Sequence, residues 1–353
     1  MNFWKQLKKP FFVLAPMSDV TDMAFRQIVC DCGKPDVLYT EFVSADGLNY
    51  VMKAGPADAK AMAGKAKLLP HLSFKENERP IVAQIFGSVP EHFYECAKLI
   101  AELGFDGIDI NMGCPERKIL KQNSGAALIN NPELAQQIII ETKRGAGNLP
   151  VSIKTRIGYN TIVTEEWVSK IIEAKPDAII VHGRTMKEAS KAPAHWDEIG
   201  KAARLCHAAG IIVVGNGDVM SYTEGIEKAK QYDLDGIMVG RGIFQNPWFF
   251  HPHTQLIESS DGKASNQLSV GVNPSEVHTR EERINLLKKH IQNFVELWGA
   301  GKNFDVMKRF IKIYINDFEG AKEIRNKLMK IKTAPETLEK LESLASRVST
   351  KPA

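Results

Sequence analysis

Several common protein classes are excluded by what this chain has little of. Its five cysteines, at positions 30, 32, 96, 114 and 206, are few and odd in number across 353 residues. Such a set does not make a disulfide framework. Cys30-Asp31-Cys32 has one residue between its thiols and fits neither a zinc knuckle nor a thioredoxin-type pair. The nine histidines lack HExxH-type spacing, so no metal site is expected. No stretch reaches the roughly 20 apolar residues of a membrane-spanning helix, so no membrane partner is expected. Lys5, Lys8 and Lys9 ahead of Phe11–Ala15 imitate the start of a signal peptide. That apolar run is short, and Pro16 and Asp19 interrupt it; it reads as a buried strand, and the protein is expected in the cytoplasm. Charge of one sign is also lacking, with a net charge of only +4.

What is present is globular: 44% apolar and 25% charged residues, in a chain long enough for a barrel of about 250 residues and a smaller unit. The small net charge is unevenly placed. Residues 280–353 carry 16 Lys/Arg against 10 Asp/Glu and the preceding part 30 against 32, so the basic excess lies in the C-terminal quarter. A polyanion partner accounts for it, as does a solvated Lys-rich helical surface.

Eight short apolar runs recur in the first 245 residues: Phe11–Met17, Val37–Val43, Ile81–Phe86, Gly107–Met112, Val151–Ile157, Ala178–His182, Ile211–Gly215 and Gly236–Val239. They are nearly continuous rather than alternating, the pattern of parallel strands buried on both faces. Helical periodicity fills the intervals at Glu91–Leu103, Pro132–Lys143, Glu165–Ala174, Trp196–Ala208 and Tyr222–Gln231, with Thr21 and Thr164 as N-cap residues and Gly104 and Gly210 as terminators. Eight strands alternating with helices predict an α/β fold, a (β/α)8 TIM barrel. A doubly wound sheet would want a glycine fingerprint after the first strand, and Ala15-Pro16-Met17-Ser18 is not one. The expected organisation is a barrel over 1–250, a turn-rich linker over 251–279 and a small all-α domain over 280–353.

In such a barrel the chemistry sits at the C-terminal ends of the strands. Those ends carry Gln84, Asn111-Met112-Gly113-Cys114-Pro115, Lys154 and Arg156, His182-Gly183-Arg184-Thr185, Gly215-Asn216-Gly217-Asp218 and Gly240-Arg241-Gly242. The last two groups suit a phosphate, since glycines let backbone N–H groups approach and Arg241 adds charge; simple tight turns are the alternative. An inward Lys154 is costly without an anion. A flavin's N1–C2 carbonyl edge is a natural partner, a structural ion pair the other. Cys30, Cys96 and Cys206 fall on apolar helical faces, whereas the Gly-Cys-Pro turn exposes Cys114, a protonated thiol at neutral pH and hence an acid.

Together these residues resemble the tRNA-dihydrouridine synthase family across about the first 250 residues. The resemblance runs through Ala15-Pro16-Met17, Ala83-Gln84-Ile85-Phe86-Gly87, Asp109–Pro115, Gly125-Ala126-Ala127-Leu128, Lys154–Gly158, His182–Thr185, Gly215–Asp218 and Gly240–Gly242. Asn-x-Gly-Cys-Pro followed by Lys118 and Gly-Ala-Ala-Leu is its specific part. The resemblance implies an FMN-binding barrel joined to a helical tRNA-binding domain, with NADPH, or NADH, as reductant. FMN would be held by Pro16, Met17, Gln84, Lys154, His182, Asn216, Gly217, Asp218, Gly240 and Arg241, and Asn111 and Arg184 would help place the flavin or the target uracil. Hydride would pass from flavin N5 to C6 of uracil, and Cys114 would give C5 its proton. Basic helices, notably Lys308, Arg309 and Lys312, would grip tRNA phosphates. A monomer is expected. One departure is visible: Ser190 and Ala192 stand where the family usually has Tyr and Gly before a Trp. Two competing readings are an FMN-dependent enzyme of free pyrimidines, resembling dihydroorotate dehydrogenase, and a non-catalytic tRNA-binding protein.

Overall fold

The apolar runs form parallel strands, as residues buried on both faces of a sheet should. The structure, a computed structural model, describes residues 2–54, 58, 63–64, 67–251, 278–316 and 318–345. The strands are β1 (Phe11–Leu14), β2 (Leu38–Tyr39), β3 (Val43–Ser44), β4 (Ile81–Phe86), β5 (Gly107–Met112), β6 (Val151–Arg156), β7 (Ala178–His182), β8 (Ile212–Asn216) and β9 (Gly236–Val239). Their order is β1-β9-β8-β7-β6-β5-β4-β2, with β3 beside β4. A parallel bridge between Val13 and Val37 joins β1 to the start of β2 and closes the barrel. Parallel partners are reached through helices, here α2 (Ala45–Lys53), α3 (Pro90–Glu102), α4 (Arg117–Leu120), α5 (Pro132–Ala146), α6 (Thr164–Glu173), α7 (Trp196–Ala208) and α8 (Tyr222–Gln231).

The run expected as one strand over 37–43 is two short strands. Between them Thr40 and Glu41 give their polar groups to other partners. The Thr40 hydroxyl donates to Glu41 O at 2.9 Å and accepts from Gln84 N at 3.1 Å. The Glu41 carboxylate, 2% exposed, accepts the Asp19 N–H and bonds His71 Nδ1 at 2.8 Å. Thr164 is not an N-cap either: Val163 holds that position, and the Thr164 hydroxyl donates to Glu198 at 2.6 Å.

The barrel interior is packed by Trp4, Phe11, Val13, Tyr39, Val82 and Ile180, all fully buried. Trp4 comes from a 3-10 turn, Phe3–Gln6, capped by Asn2. The neighbouring Phe3 lies against Gly107 and Pro150, where β5 and β6 begin, so this turn stands at the N-terminal end of the barrel. The opposite end is left to polar side chains.

Contacts divide the chain into two units, Met1–Asp22 with Pro35–Arg241, and Met23–Lys34 with Gly242–Ala353. Helix α1 (Met23–Gly33), which sits between β1 and β2 in sequence, thus belongs with the C-terminal helices α9 (Arg280–Trp298), α10 (Lys308–Tyr314), α11 (Ala321–Leu328) and α12 (Ala334–Ala345). Phe25 of α1 packs on His290 and Phe310, with ring centroids 5.5 and 5.2 Å away, and Lys289 pairs with Asp31 at 2.7 Å. His290 Nδ1 and Tyr314 Oη are 2.9 Å apart, a buried polar pair inside that packing. Helix α9 opens on a capping box, Thr279 with Glu282. Most of the segment expected as a linker, 252–277, lies outside the described residues. No helix among the described residues is long and apolar enough to cross a membrane.

Candidate active site

Strand register decides which strand-end residues meet. Gln84 is level with Asp109, Asn111 with Lys154, Arg156 with His182, and His182 with Asn216. Side chains on level positions of neighbouring parallel strands share a face, as do residues two apart on one strand, so these groups form a polar layer three levels deep toward the C-terminal mouth.

On one side this layer is a chain of hydrogen bonds leading to Cys114. Ser152 Oγ donates to Asp109 Oδ1 at 2.6 Å, and Gln84 Nε2 donates to Asp109 Oδ2 at 2.7 Å. Asn111 Nδ2 then donates to Gln84 Oε1 at 3.0 Å. Asn111 Oδ1 accepts the N–H groups of Gly113 and Cys114 at 3.1 and 2.9 Å, which fixes the turn that presents the thiol. From beyond the turn Ala126 N donates to Cys114 O at 3.1 Å. Gly125 adopts φ +63°, and a Cβ there would lie 2.9 Å from that same oxygen, so the close approach requires glycine. Burial pushes the Cys114 thiol above its ordinary value; the Glu116 backbone N–H opposes that rise, the Glu116 carboxylate adds to it, and Arg156 and Lys154 oppose it. The thiol is therefore protonated at neutral pH. Cys32, Cys96 and Cys206 are buried, and Cys114 and Cys30 are partly exposed.

The other side is cationic. Lys154 Nζ donates to Asn216 Oδ1 at 3.1 Å, and Asn216 Nδ2 donates to Met238 O at 2.8 Å. Burial first, and then Arg156, lowers the Lys154 ammonium to about 8. Burial likewise brings Arg156 down to about 10; its guanidinium donates to Gly113 O at 2.6 Å, Ala189 O at 3.1 Å and Thr185 O at 3.2 Å. Arg184, 3% exposed, donates to Asp218 and to Ala192 O, and its Nη1 is 3.2 Å from His182 Nε2. Asp218 Oδ1 accepts from Arg241 at 2.7 Å, and Oδ2 also takes the Ala194 N–H at 3.0 Å. Burial, with Lys154, Arg156, Arg184 and Arg241 around it, holds His182 well below its usual range. The ring is neutral at pH 7. With Arg184 donating to Nε2, the proton falls to Nδ1 and makes that nitrogen a donor.

Gly217 lies between these groups at φ +139°, where a Cβ would meet that of Ala194 at 2.7 Å. A Cβ on Gly240 would be 3.9 Å from Met17 Sδ, so the turn after β1 stands beside the end of β9. Pro16 and Met17 on that turn, Asn111, His182, Arg184, Asn216, Gly217, Asp218, Gly240 and Arg241 thus lie at or just past strand ends around one mouth, and Gln84 and Lys154 lie two residues before the ends of β4 and β6. Lys308, Arg309 and Lys312 lie on α10 in the helical unit. Lys312 is exposed, and Lys308 is paired with Asp305 at 2.6 Å.

Two acids of this mouth are not evident from residue types at strand ends. Asp109 is fully buried, and loss of water raises its carboxyl to about 6 despite four stabilising neighbours. An acid inside the apolar run Gly107–Met112 is the one signal that marks it. Glu41 braces the turn carrying Pro16 and Met17 through the Asp19 N–H; its signal is a charge in the mostly apolar run 37–43.

A family model described as dihydrouridine synthase (Dus) matches residues 13–349. A probable tRNA-dihydrouridine synthase of Staphylococcus epidermidis is 37% identical over 351 residues, covering 98% of this chain and 97% of that protein. Probable tRNA-dihydrouridine synthase 2 of Bacillus subtilis is 38% identical over 339 residues, covering 95% of this chain and 94% of that protein. Among solved structures, a 2-naphthoyl-CoA reductase in complex with 2-naphthoyl-CoA aligns with a TM-score of 0.52 at 11% identity, over 71% of this chain and 52% of that one. This chain spans about half the length of that reductase, and the likeness is one of fold. By the extent of the family match and of its curated relatives, the chain belongs to the dihydrouridine synthase family.

Proposed function

We propose that this protein reduces the C5–C6 double bond of uridines in tRNA to 5,6-dihydrouridine, using FMN held in the barrel mouth and NADPH as reductant. Cys114 carries the proposal: a thiol kept protonated by burial, on a turn fixed by Asn111, beside a mouth rich in cations.

The residues of the mouth fit an anionic, planar, phosphorylated group. Four cations surround His182, and two of them, Arg184 and Arg241, share the single carboxylate of Asp218. FMN would be held by Pro16, Met17, Gln84, Lys154, His182, Asn216, Gly217, Gly240 and Arg241. Asp218 serves it indirectly, because its carboxylate would repel a phosphate but orients both arginines. When bound, FMN supplies the hydride that C6 of uracil accepts. Cys114 donates the proton to C5, and the thiolate left behind is stabilised by Arg156 and Lys154, the cations that oppose the rise of its pKa. Asn111 and Arg184 place the uracil. A stacked base cannot enter a barrel mouth, so the uridine must be turned out of its stack. Lys308, Arg309 and Lys312 would contact the tRNA backbone, and such a substrate places the enzyme in the cytoplasm.

The test is anaerobic reoxidation. Protein reduced with NADPH is mixed with tRNA lacking dihydrouridine or with orotate, and the oxidised flavin band is followed. Return of the band with tRNA and not with orotate is expected. Return with orotate alone would transfer the chain to the free-pyrimidine enzymes, and tRNA binding without any flavin uptake would leave a non-catalytic binder.

The lowered Lys154 pKa has a signed consequence for cofactor affinity. An anion beside the ammonium raises its pKa, so binding takes up a proton wherever the free protein has lost one, above about 8. FMN affinity is thus expected to hold below pH 8 and to weaken above it by at most about tenfold per pH unit. Titration of FMN fluorescence between pH 7 and 10 measures this. Lys154→Met should bind more weakly and lose the dependence; a slope that survives the substitution assigns it to another group.

A further inference from the structure

The nine residues that follow Pro115 form a closed excursion from the candidate active site. It leaves at Cys114 and returns to it, through the Ala126 N–H on Cys114 O and through Gly125 packed on the same oxygen. Within it α4 makes one helical turn, with Ile119, Gln122 and Asn123 continuing the backbone hydrogen bonds. Ile119 is 5% exposed and anchors the turn from below, where Gly125 meets its Cγ2. The outer face carries Arg117, Lys118 and Lys121, all exposed. Positions 117 and 121 are i, i+4 and positions 118 and 121 are i, i+3, so the three cations stand side by side.

Like charges at these spacings repel, and a merely solvated turn gains by interspersing acids. The excursion has one acid, Glu116, and none of the three cations is paired with an acid among the described residues. Elsewhere on the barrel, Arg79, Arg144 and Lys201 have such partners three residues away. At the mouth itself Arg184 and Arg241 are committed to Asp218, and Arg156 to backbone carbonyls. Among the described residues, Arg117, Lys118 and Lys121 are exposed cations beside Cys114 that no acid pairs.

We propose that Arg117, Lys118 and Lys121 form an RNA-docking face on the barrel, gripping the phosphates next to the uridine presented to Cys114. The proposal rests on the tRNA reading above and adds to it a phosphate contact tied to the acid by the backbone. Because the turn is hydrogen-bonded to Cys114 itself, a phosphate seated there sets the distance between the RNA backbone and the proton donor. Phosphate contacts position a nucleic acid without reading its bases, so this face acts alike on any accepted tRNA.

The test uses the full-length, FMN-loaded protein carrying Arg117→Gln, Lys118→Gln and Lys121→Gln together. Removing three phosphate contacts should weaken binding of an unmodified tRNA transcript about 10- to 100-fold near physiological salt and lower the slope of log K against log salt by about 2. The KM for tRNA should rise, while the rate at which NADPH reduces the flavin stays unchanged. Restoring charge with Arg117→Lys, Lys118→Arg and Lys121→Arg should keep most of the affinity. Equal tRNA affinity and salt slope in the Gln variant would overturn the docking face and leave the proposed function standing. A raised KM for NADPH with unaltered tRNA binding would also overturn it, giving the cations to the dinucleotide phosphates. Wild-type protein that neither binds nor reduces tRNA would overturn both readings.

Discussion

Replacing Cys114 with alanine is expected to lower uridine reduction by about 10²- to 10⁴-fold, the span of a lost general acid, while FMN content and reduction of the flavin by NADPH stay at wild-type levels. The two half-reactions separate because the thiol is needed only where C5 takes its proton. Single-turnover absorbance traces for each half-reaction, recorded on the same preparation, measure the split. Cys114→Ser should stay close to the alanine variant, since a hydroxyl is a far weaker acid than a thiol. The pH profile carries a sign as well. Burial raises the thiol's pKa, so the protonated fraction is constant through neutral pH, and the oxidative half-reaction should fall only in alkaline solution. Equal loss in both half-reactions would remove Cys114 from the acid's place.

Replacing Asp218 with alanine should destabilise the barrel more than an exposed charge change would. Arg184 is 3% exposed and would lose the carboxylate that answers its charge. Breaking a buried pair from one side leaves the other charge uncompensated, which costs about 3–5 kcal/mol. The Asp218 side chain is 30% exposed, so water softens the loss, and about 3 kcal/mol is the expected value. For a unit of this size that corresponds to a Tm lowered by roughly 6–12 °C, read by thermal denaturation of the FMN-free protein. Replacing Arg184 with methionine in the Asp218→Ala background should recover part of the loss, because the stranded charge goes with it. An Asp218→Ala protein that melts with wild type would mean that Arg184 finds another anion.

Why the fold was legible follows from the strands. Each is buried on both faces and so leaves an apolar run that stands out from its neighbours, and β4 to β9 lie within a residue or two of those runs. The second run was legible as an element but not as a broken one. Its interruption depends on Asp19 and His71, distant in sequence, supplying partners for Glu41. Helix α1 shows a similar limit. Its periodicity marks an apolar face, yet nothing local says that Phe25 is covered by His290 and Phe310.

The candidate site could be chosen from the sequence for a topological reason: a parallel barrel brings the C-terminal ends of all its strands to one mouth, so polar residues at those ends converge whatever their separation along the chain. Residue types and spacing therefore determined the architecture, the candidate mouth and the partly exposed cysteine within it. The interactions between those residues were decided by the tertiary structure. Strand register brings Asp109 within hydrogen-bonding distance of Ser152 and Gln84, and the loop after β7 carries Arg184 to Asp218. The shifts of Lys154, His182 and Cys114 arise from burial and from charges on other strands, quantities that exist only once the chain has closed into a barrel and excluded water from its mouth.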